Sequence, residues 1–267
     1  MLPIDLLLFR HGRSEGNEAK SASEKGDNSF FTPKFLERHS RTFRLTNRGI
    51  KQIRATRRWL KKNFPMSFDE FYVSDYLRAK ESAVILHLPN AKWNVKVSLR
   101  ERDKGLMDNL PIAEKQRLFA RELRQYQASP FFAYPAGGGE SMAAFIFRLE
   151  VDFVNTVVRD CSVERMAVVS HGHVMSGLQF IFEGLSHDEF LRCDSSEKNK
   201  DKIRNGQILW YTRRNPKTGK LYPDFIAVRS VCPWDPKGDY GWRRIERNLY
   251  SNKDLAKELK KYHRQIK

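Results

Sequence analysis

Leu6-Leu7-Leu8-Phe9-Arg10-His11-Gly12-Arg13-Ser14-Glu15-Gly16-Asn17 decides how the chain is read. Four large apolar residues in a row predict a strand buried on both faces, as in the centre of an α/β sheet. The run stops at Arg-His-Gly, so the polar residues fall at the strand's carboxyl end, where open α/β sheets place their ligand crevice. Gly12 and Gly16 let the backbone turn closely around something small. Arg10 offers a planar fork of N–H donors suited to phosphate. His11 offers a nitrogen that is neutral near physiological pH and can act as base, metal ligand or nucleophile.

Working outward, a second apolar run, Met166-Ala167-Val168-Val169, ends in Ser170-His171-Gly172-His173. It predicts another strand buried on both faces that delivers a histidine. Between the two lie a helix from about Leu45 to Asn63 capped by Thr46, a strand Phe68–Ser74, a helix Tyr76–Leu88 and a strand Val95–Leu99. Arg78 falls in the first turn of its helix, a favourable place for an anion-binding guanidinium. Residues 18–44 read as a loop with one short helix around Pro33–Arg38. Phe145, Leu149, Phe153 and Val157 at four-residue steps mark the core face of a helix from Ser141 to about Asp160. Asn205–Thr212 and Phe225–Val231 read as later strands. Two units are expected: residues 1–240 as a catalytic domain, and 241–267 as a basic extension with a helix over Leu255–Ile266.

At 267 residues the chain is at the upper end of one α/β domain. Its 49 Lys and Arg against 32 Asp and Glu give a net charge of +17. That charge favours anions: phosphorylated small molecules, acidic proteins, nucleic acid or an anionic membrane surface. No finger or aromatic RNA-binding motif accompanies it. No run reaches the ~18–20 apolar residues of a membrane span. Cys161, Cys193 and Cys232 form no C-x-x-C and no zinc pattern, which suits a reducing setting. With no secretory n-region in view, a cytoplasmic location is expected.

The octet R-H-G-x-S-x-x-N at residues 10–17 resembles the histidine phosphatase superfamily, in its phosphoglycerate mutase-like branch. The resemblance continues in family order. Leu45-Thr46-x-x-Gly49-x-x-Gln52 matches a structural landmark, and Ser74-Asp75-x-x-Arg78-Ala79 an arginine landmark. Leu99-x-Glu101-x-x-x-Gly105 matches the acid landmark, followed by Gly139-Glu140-Ser141 and Ser170-His171-Gly172. It implies a three-layer α/β/α sandwich with a mostly parallel central sheet. It implies a phosphohistidine on His11, with Glu101 as acid and His171 as a contact to the transferred group. Arg10, Asn17 and Arg78 become phosphate ligands, with no cofactor and no metal. Arg13, Ser14 and His173 are candidate substrate contacts, although His173 also reads as a surface histidine at a helix start.

Arg13 stands where the family often has Glu or Gln, and Lys104-Gly105-Leu106-Met107 departs from the tyrosine-containing stretch of the mutases. These departures favour a phosphatase acting on a phosphorylated anionic substrate. The alternatives are mutase-type transfer, or a module that binds an acidic polymer or protein on the same scaffold. The sequence leaves substrate and oligomeric state open. It also leaves open whether burial or the neighbouring Arg100 and Arg102 control the Glu101 proton.

Overall fold

The computed structural model describes residues 1–264 and 266. Seven strands form one sheet in the order β3-β2-β4-β1-β5-β6-β7. They are β1 Asp5–Arg10, β2 Glu70–Ser74, β3 Trp93–Lys96, β4 Arg165–Ser170, β5 Ile208–Thr212, β6 Ala227–Val231 and β7 Asp239–Arg244. The helices are α1 Glu15–Ser23, α2 Pro33–Leu36, α3 Asn47–Asn63, α4 Leu77–Leu86, α5 Ile112–Leu118, α6 Ala120–Ala128, α7 Met142–Leu149, α8 Gly172–Glu183, α9 His187–Ser195 and α10 Asn252–Leu259. β3, β2, β4 and β1 pair in parallel, while β5, β6 and β7 continue from β1 antiparallel. The sheet is therefore mixed, and parallel where the site sits.

Successive residues of β1 serve opposite cores. Leu6 and Leu8 pack with α7 and α8, while Leu7 and Phe9 pack with α3 and α4. All four are fully buried, which is why the strand reads as an unbroken apolar run. Helices on both faces make the expected α/β/α sandwich. The helix starting after Ser141 changes character, with α7 giving way to a π-helical stretch over Glu150–Val158. A wider turn moves the buried face on by one residue, so Val158 is buried and Val157 is only partly so.

Three expectations are corrected. The segment after Gly12 is not loop from residue 18, because α1 occupies Glu15–Ser23. The boundary at 240/241 falls inside β7, and the chain stays tied in beyond it. Ile245 is buried, Arg243 pairs with Glu183 at 2.6 Å, and Arg247 donates to the Phe182 and Phe225 carbonyls at 2.8 and 2.9 Å. The terminal helix is Asn252–Leu259, and of the Leu255–Ile266 expectation Gln265 lies outside the described residues, as does Lys267.

The Leu45–Gln52 landmark has a steric reason. A Cβ on Gly12 would sit 2.4 Å from the Gly49 carbonyl oxygen, and one on Gly49 would sit 2.2 Å from the Arg13 carbonyl oxygen. The loop after β1 and the start of α3 thus touch backbone to backbone. Arg13 N–H donates to Gln52 Oε1 at 2.9 Å, and Thr46 N–H to the Arg13 carbonyl at 2.9 Å. Gly49→Ala is expected to force these two backbones apart and destabilise the protein by ~1–3 kcal/mol, the usual cost of overpacking. Urea unfolding checks this; an unchanged midpoint would mean the contact is loose.

Candidate active site

Register brings the two histidines together. β1 and β4 are parallel neighbours with Arg10 opposite Ser170, so the residues that follow, His11 and His171, leave the sheet side by side. Their ring centroids lie 5.1 Å apart, edge to face. β2 lies on the other side of β4, which brings Ser74 Oγ within 2.8 Å of His171 Nε2. Arg78, in the first turn of α4 just after β2, reaches back over the same spot.

His11 is buried, and its Nδ1 lies 2.7 Å from its neighbour's carbonyl, Gly12 O. A carbonyl only accepts, so Nδ1 carries the proton and Nε2 keeps its lone pair. That lone pair accepts from Arg78 Nε–H at 3.1 Å. Burial first, then Arg78, His171 and Arg10, push the His11 pKa well below the histidine range. The imidazole is therefore neutral at physiological pH. Arg78 is further held by the Ser40 carbonyl at 2.7 Å and by the Tyr76 ring, 4.7 Å from its central carbon.

His171 is fully buried, and burial followed by Arg78 lowers its pKa well below the usual range. It is therefore neutral. Ser74 Oγ accepts from the Tyr76 N–H at 3.3 Å and has its own hydrogen to give to His171 Nε2. His171 Nδ1, on the other side of the ring, is buried without a hydrogen-bond partner among the described residues. Arg10 shows the same pattern: one Nη donates to the Ile203 carbonyl at 2.5 Å, while Nε is buried without an acceptor. Gly172 lets this guanidinium lie close, since a Cβ there would stand 3.2 Å from its central carbon.

A cleft of about 590 Å³ opens over these groups, and its walls include Arg10, His11, Arg78, Glu101 and His173. Glu101 Oε1 lies 3.2 Å from His173 Nδ1 and accepts from Arg102 N–H at 3.0 Å. Burial alone would raise this carboxyl; the His173 contact and the Arg78 guanidinium outweigh it and hold the pKa well below the carboxylate range. In the free site Glu101 is ionised, and His173 is drawn into the cleft rather than left on the surface. Arg100 instead pairs with Glu140 at 3.2 Å. Glu140 is also clamped by Arg148 at 2.6 Å and takes the Asp103 N–H at 3.0 Å. The Gly139-Glu140-Ser141 landmark is thus a structural brace, with Ser141 capping α7.

Asn17, Arg13 and Ser14 also line the cleft. Ser14 caps α1, its hydroxyl accepting from Asn17 N–H at 3.3 Å. Arg13 is engaged by Glu18. Residues with no role legible in the sequence complete the site: Ser74, from the arginine landmark, behind His171, Tyr76 and the Ser40 carbonyl around Arg78, and Asn205 behind Asn17. Their signal lies in strand register and packing.

The sequence model of the histidine phosphatase superfamily (branch 1) matches residues 6–200. The chain belongs to that superfamily. No match was found among curated proteins. Similar solved structures include a putative α-ribazole-5′-P phosphatase from Escherichia coli K-12, with 20% identity and a TM-score of 0.62 over 84% of this chain and 96% of that one. The α-ribazole phosphatase of Shigella flexneri gives 21% and 0.62 over 82% and 94%. A mycobacterial glucosyl-3-phosphoglycerate phosphatase, solved with VO3, gives 19% and 0.55 over 78% and 92%. At these identities the likeness is one of fold.

Proposed function

We propose that the protein is a metal-independent phosphatase that hydrolyses a phosphomonoester through a phosphohistidine on His11. The observation that carries this reading is the pair of buried nitrogens without partners among the described residues, Arg10 Nε and His171 Nδ1, flanking a neutral imidazole. Leaving a buried donor unpaired costs about 1–3 kcal/mol, and phosphoryl oxygens would complete both. Arg78 would turn from the His11 lone pair to an equatorial oxygen as substrate enters. His11 Nε2 then bonds phosphorus while the ester P–O bond breaks, and Glu101, having gained a proton in the complex, passes it to the leaving oxygen. Water completes the cycle: Glu101 takes its proton, the P–N bond breaks, and inorganic phosphate leaves. Guanidinium and imidazole groups aimed at the transferred phosphoryl supply the electrostatic stabilisation. The expected result is release of inorganic phosphate from p-nitrophenyl phosphate in excess chelator, inhibited by vanadate. Activity abolished by chelator and restored by a divalent cation would overturn the metal-independent reading.

For the acidic polymer suggested by the net charge, we propose α3 rather than the basic C-terminal extension as the binding surface. α3 holds Arg48, Lys51, Arg54, Arg57, Arg58, Lys61 and Lys62 with no Asp or Glu. None of the seven takes part in an ion pair among the described residues. Arg48, Lys51, Arg54, Arg58, Lys61 and Lys62 are exposed on the side away from buried Ile53 and Leu60, over about 21 Å at 1.5 Å per residue, whereas Arg57 is half-buried. A Lys51→Glu/Arg54→Glu/Arg58→Glu variant should elute from heparin at clearly lower salt than wild type. A chain ending at Tyr250 should elute unchanged; the reverse pattern would return the role to the C-terminal segment.

A further inference from the structure

We infer that Asn205 is a positioning residue for phosphoryl transfer, acting by fixing which end of the Asn17 amide faces the cleft. The inference rests on the hydrolytic reading above. Asn205 lies beyond the segment matched by the family model, in the connection between α9 and β5. Its Nδ2 lies 3.2 Å from the His11 carbonyl oxygen and 3.0 Å from Asn17 Oδ1.

The orientation of both amides follows from partners that play only one role. The His11 carbonyl can only accept, so the Asn205 end that meets it must be its NH2 group. The Ser14 backbone N–H can only donate, and it lies 3.3 Å from Asn17 Oδ1. Asn17 therefore uses its oxygen twice, for Ser14 and for Asn205, and its own NH2 is what remains for the cleft. The distinction matters to a phosphate. An NH2 there is a donor to a phosphoryl oxygen; a flipped amide would set a carbonyl oxygen against the anion.

Asn205 is itself held firmly. Trp234 Nε1–H donates to its carbonyl at 2.6 Å, and the indole face is covered by Arg204, 5.2 Å from the ring centre. Arg204 is anchored to Asp235 at 2.6 Å and to the Tyr240 hydroxyl at 3.0 Å. The next residue, Gly206, donates its N–H to the Arg10 and His11 carbonyls at 3.2 Å, and Thr56 takes its carbonyl at 2.6 Å. Gly206 has φ +72°, a left-handed conformation that favours glycine. The segment is a strap across the strand end that bears the nucleophile.

The test is a double-mutant cycle on p-nitrophenyl phosphate. Asn17→Ala and Asn205→Ala are each expected to lower kcat roughly tenfold with little change in KM, as for loss of one hydrogen bond made to the transferring group. Asn17→Ala/Asn205→Ala should then be no slower than Asn17→Ala within about twofold, because the second residue acts only through the first. Multiplicative losses, or wild-type kcat in Asn205→Ala, would overturn the inference. Should Asn205→Ala fail to fold, Trp234→Phe removes the indole N–H and should give a smaller loss that disappears in the Asn17→Ala background. The same cycle is read in parallel from vanadate affinity, which needs no turnover. Absence of turnover in wild type refutes the hydrolytic reading, whereas uncoupled vanadate affinities refute the role of Asn205.

Discussion

His11→Ala should lose both turnover and covalent label. After brief mixing with a ³²P-labelled phosphomonoester and a quench without acid, the wild type should carry phosphate that is stable to base and lost in acid, as expected of a phosphohistidine. The variant should carry none, and its turnover should fall by on the order of 10⁶, the scale seen when a nucleophile that works as part of a unit is removed. The surroundings of this nitrogen support that expectation. The Gly12 carbonyl holds the proton on Nδ1, and Nε2 keeps its lone pair among cations. Because burial and then Arg78 lower the His11 pKa, the nucleophile should stay unprotonated below pH 6.5, and kcat/KM should not fall there on its account. Label on His11→Ala at the wild-type level would place the phosphoenzyme elsewhere.

Glu101→Gln should discriminate between leaving groups. An alkoxide needs a proton and a nitrophenolate does not, so alkyl phosphates should lose about 10²–10⁴-fold and p-nitrophenyl phosphate far less. The structure adds a pH signature. Free Glu101 is ionised because the His173 contact and the Arg78 guanidinium overcome the effect of burial. The reactive complex therefore needs one proton that the enzyme does not hold, and the substrate brings it. A phosphomonoester loses its second proton near a pKa of about 6, so kcat/KM on an alkyl ester should fall about tenfold per pH unit above that. In Glu101→Gln on p-nitrophenyl phosphate this limb should be absent. Equal losses on both esters would remove Glu101 from the acid role. Glu140 is braced by Arg148 and Arg100 outside the cleft, so Glu140→Gln should act on stability rather than on leaving-group dependence.

The legible parts of the molecule are those where one residue type answers to one demand. β1 and β4 read from sequence because both their faces are buried, and the motifs after them mark a strand end that must carry polar groups. α1 was hidden because Glu15–Ser23 buries only Ala19 and Ser23, and its clearest signal is the Ser14–Asn17 cap. β7 was hidden because Asp-Tyr-Gly-Trp-Arg-Arg is half exposed at a sheet edge and carries no apolar run. Arg10, His11, Arg78 and Glu101 stand at motif positions and meet around the cleft, and His171 stands at another and packs against His11 beneath them; His173, which reads from sequence more as a surface histidine, joins the cleft wall. The state of Glu101 was not readable, since the sequence neighbours Arg100 and Arg102 are not the cations that set it. Ser74 and Asn205 stand in local patterns, but their contacts with His171 and Asn17 depend on register between distant strands, which those patterns do not record.

β1 sits at the seam of the sheet, parallel to β4 on one side and antiparallel to β5 on the other. Both pairings of β1, to Arg165–Ser170 and to Ile208–Thr212, close over most of the chain. β5, β6 and β7 follow one another as a meander with short connections. β1 must find β4 across almost the whole intervening sequence, a slow event because loop closure must be met before the contact rewards it. The histidines become neighbours only when that long-range pairing is made. Recovery of activity during refolding should therefore lag behind recovery of secondary structure, and a chain that has folded only its carboxyl-terminal half should show strands without chemistry.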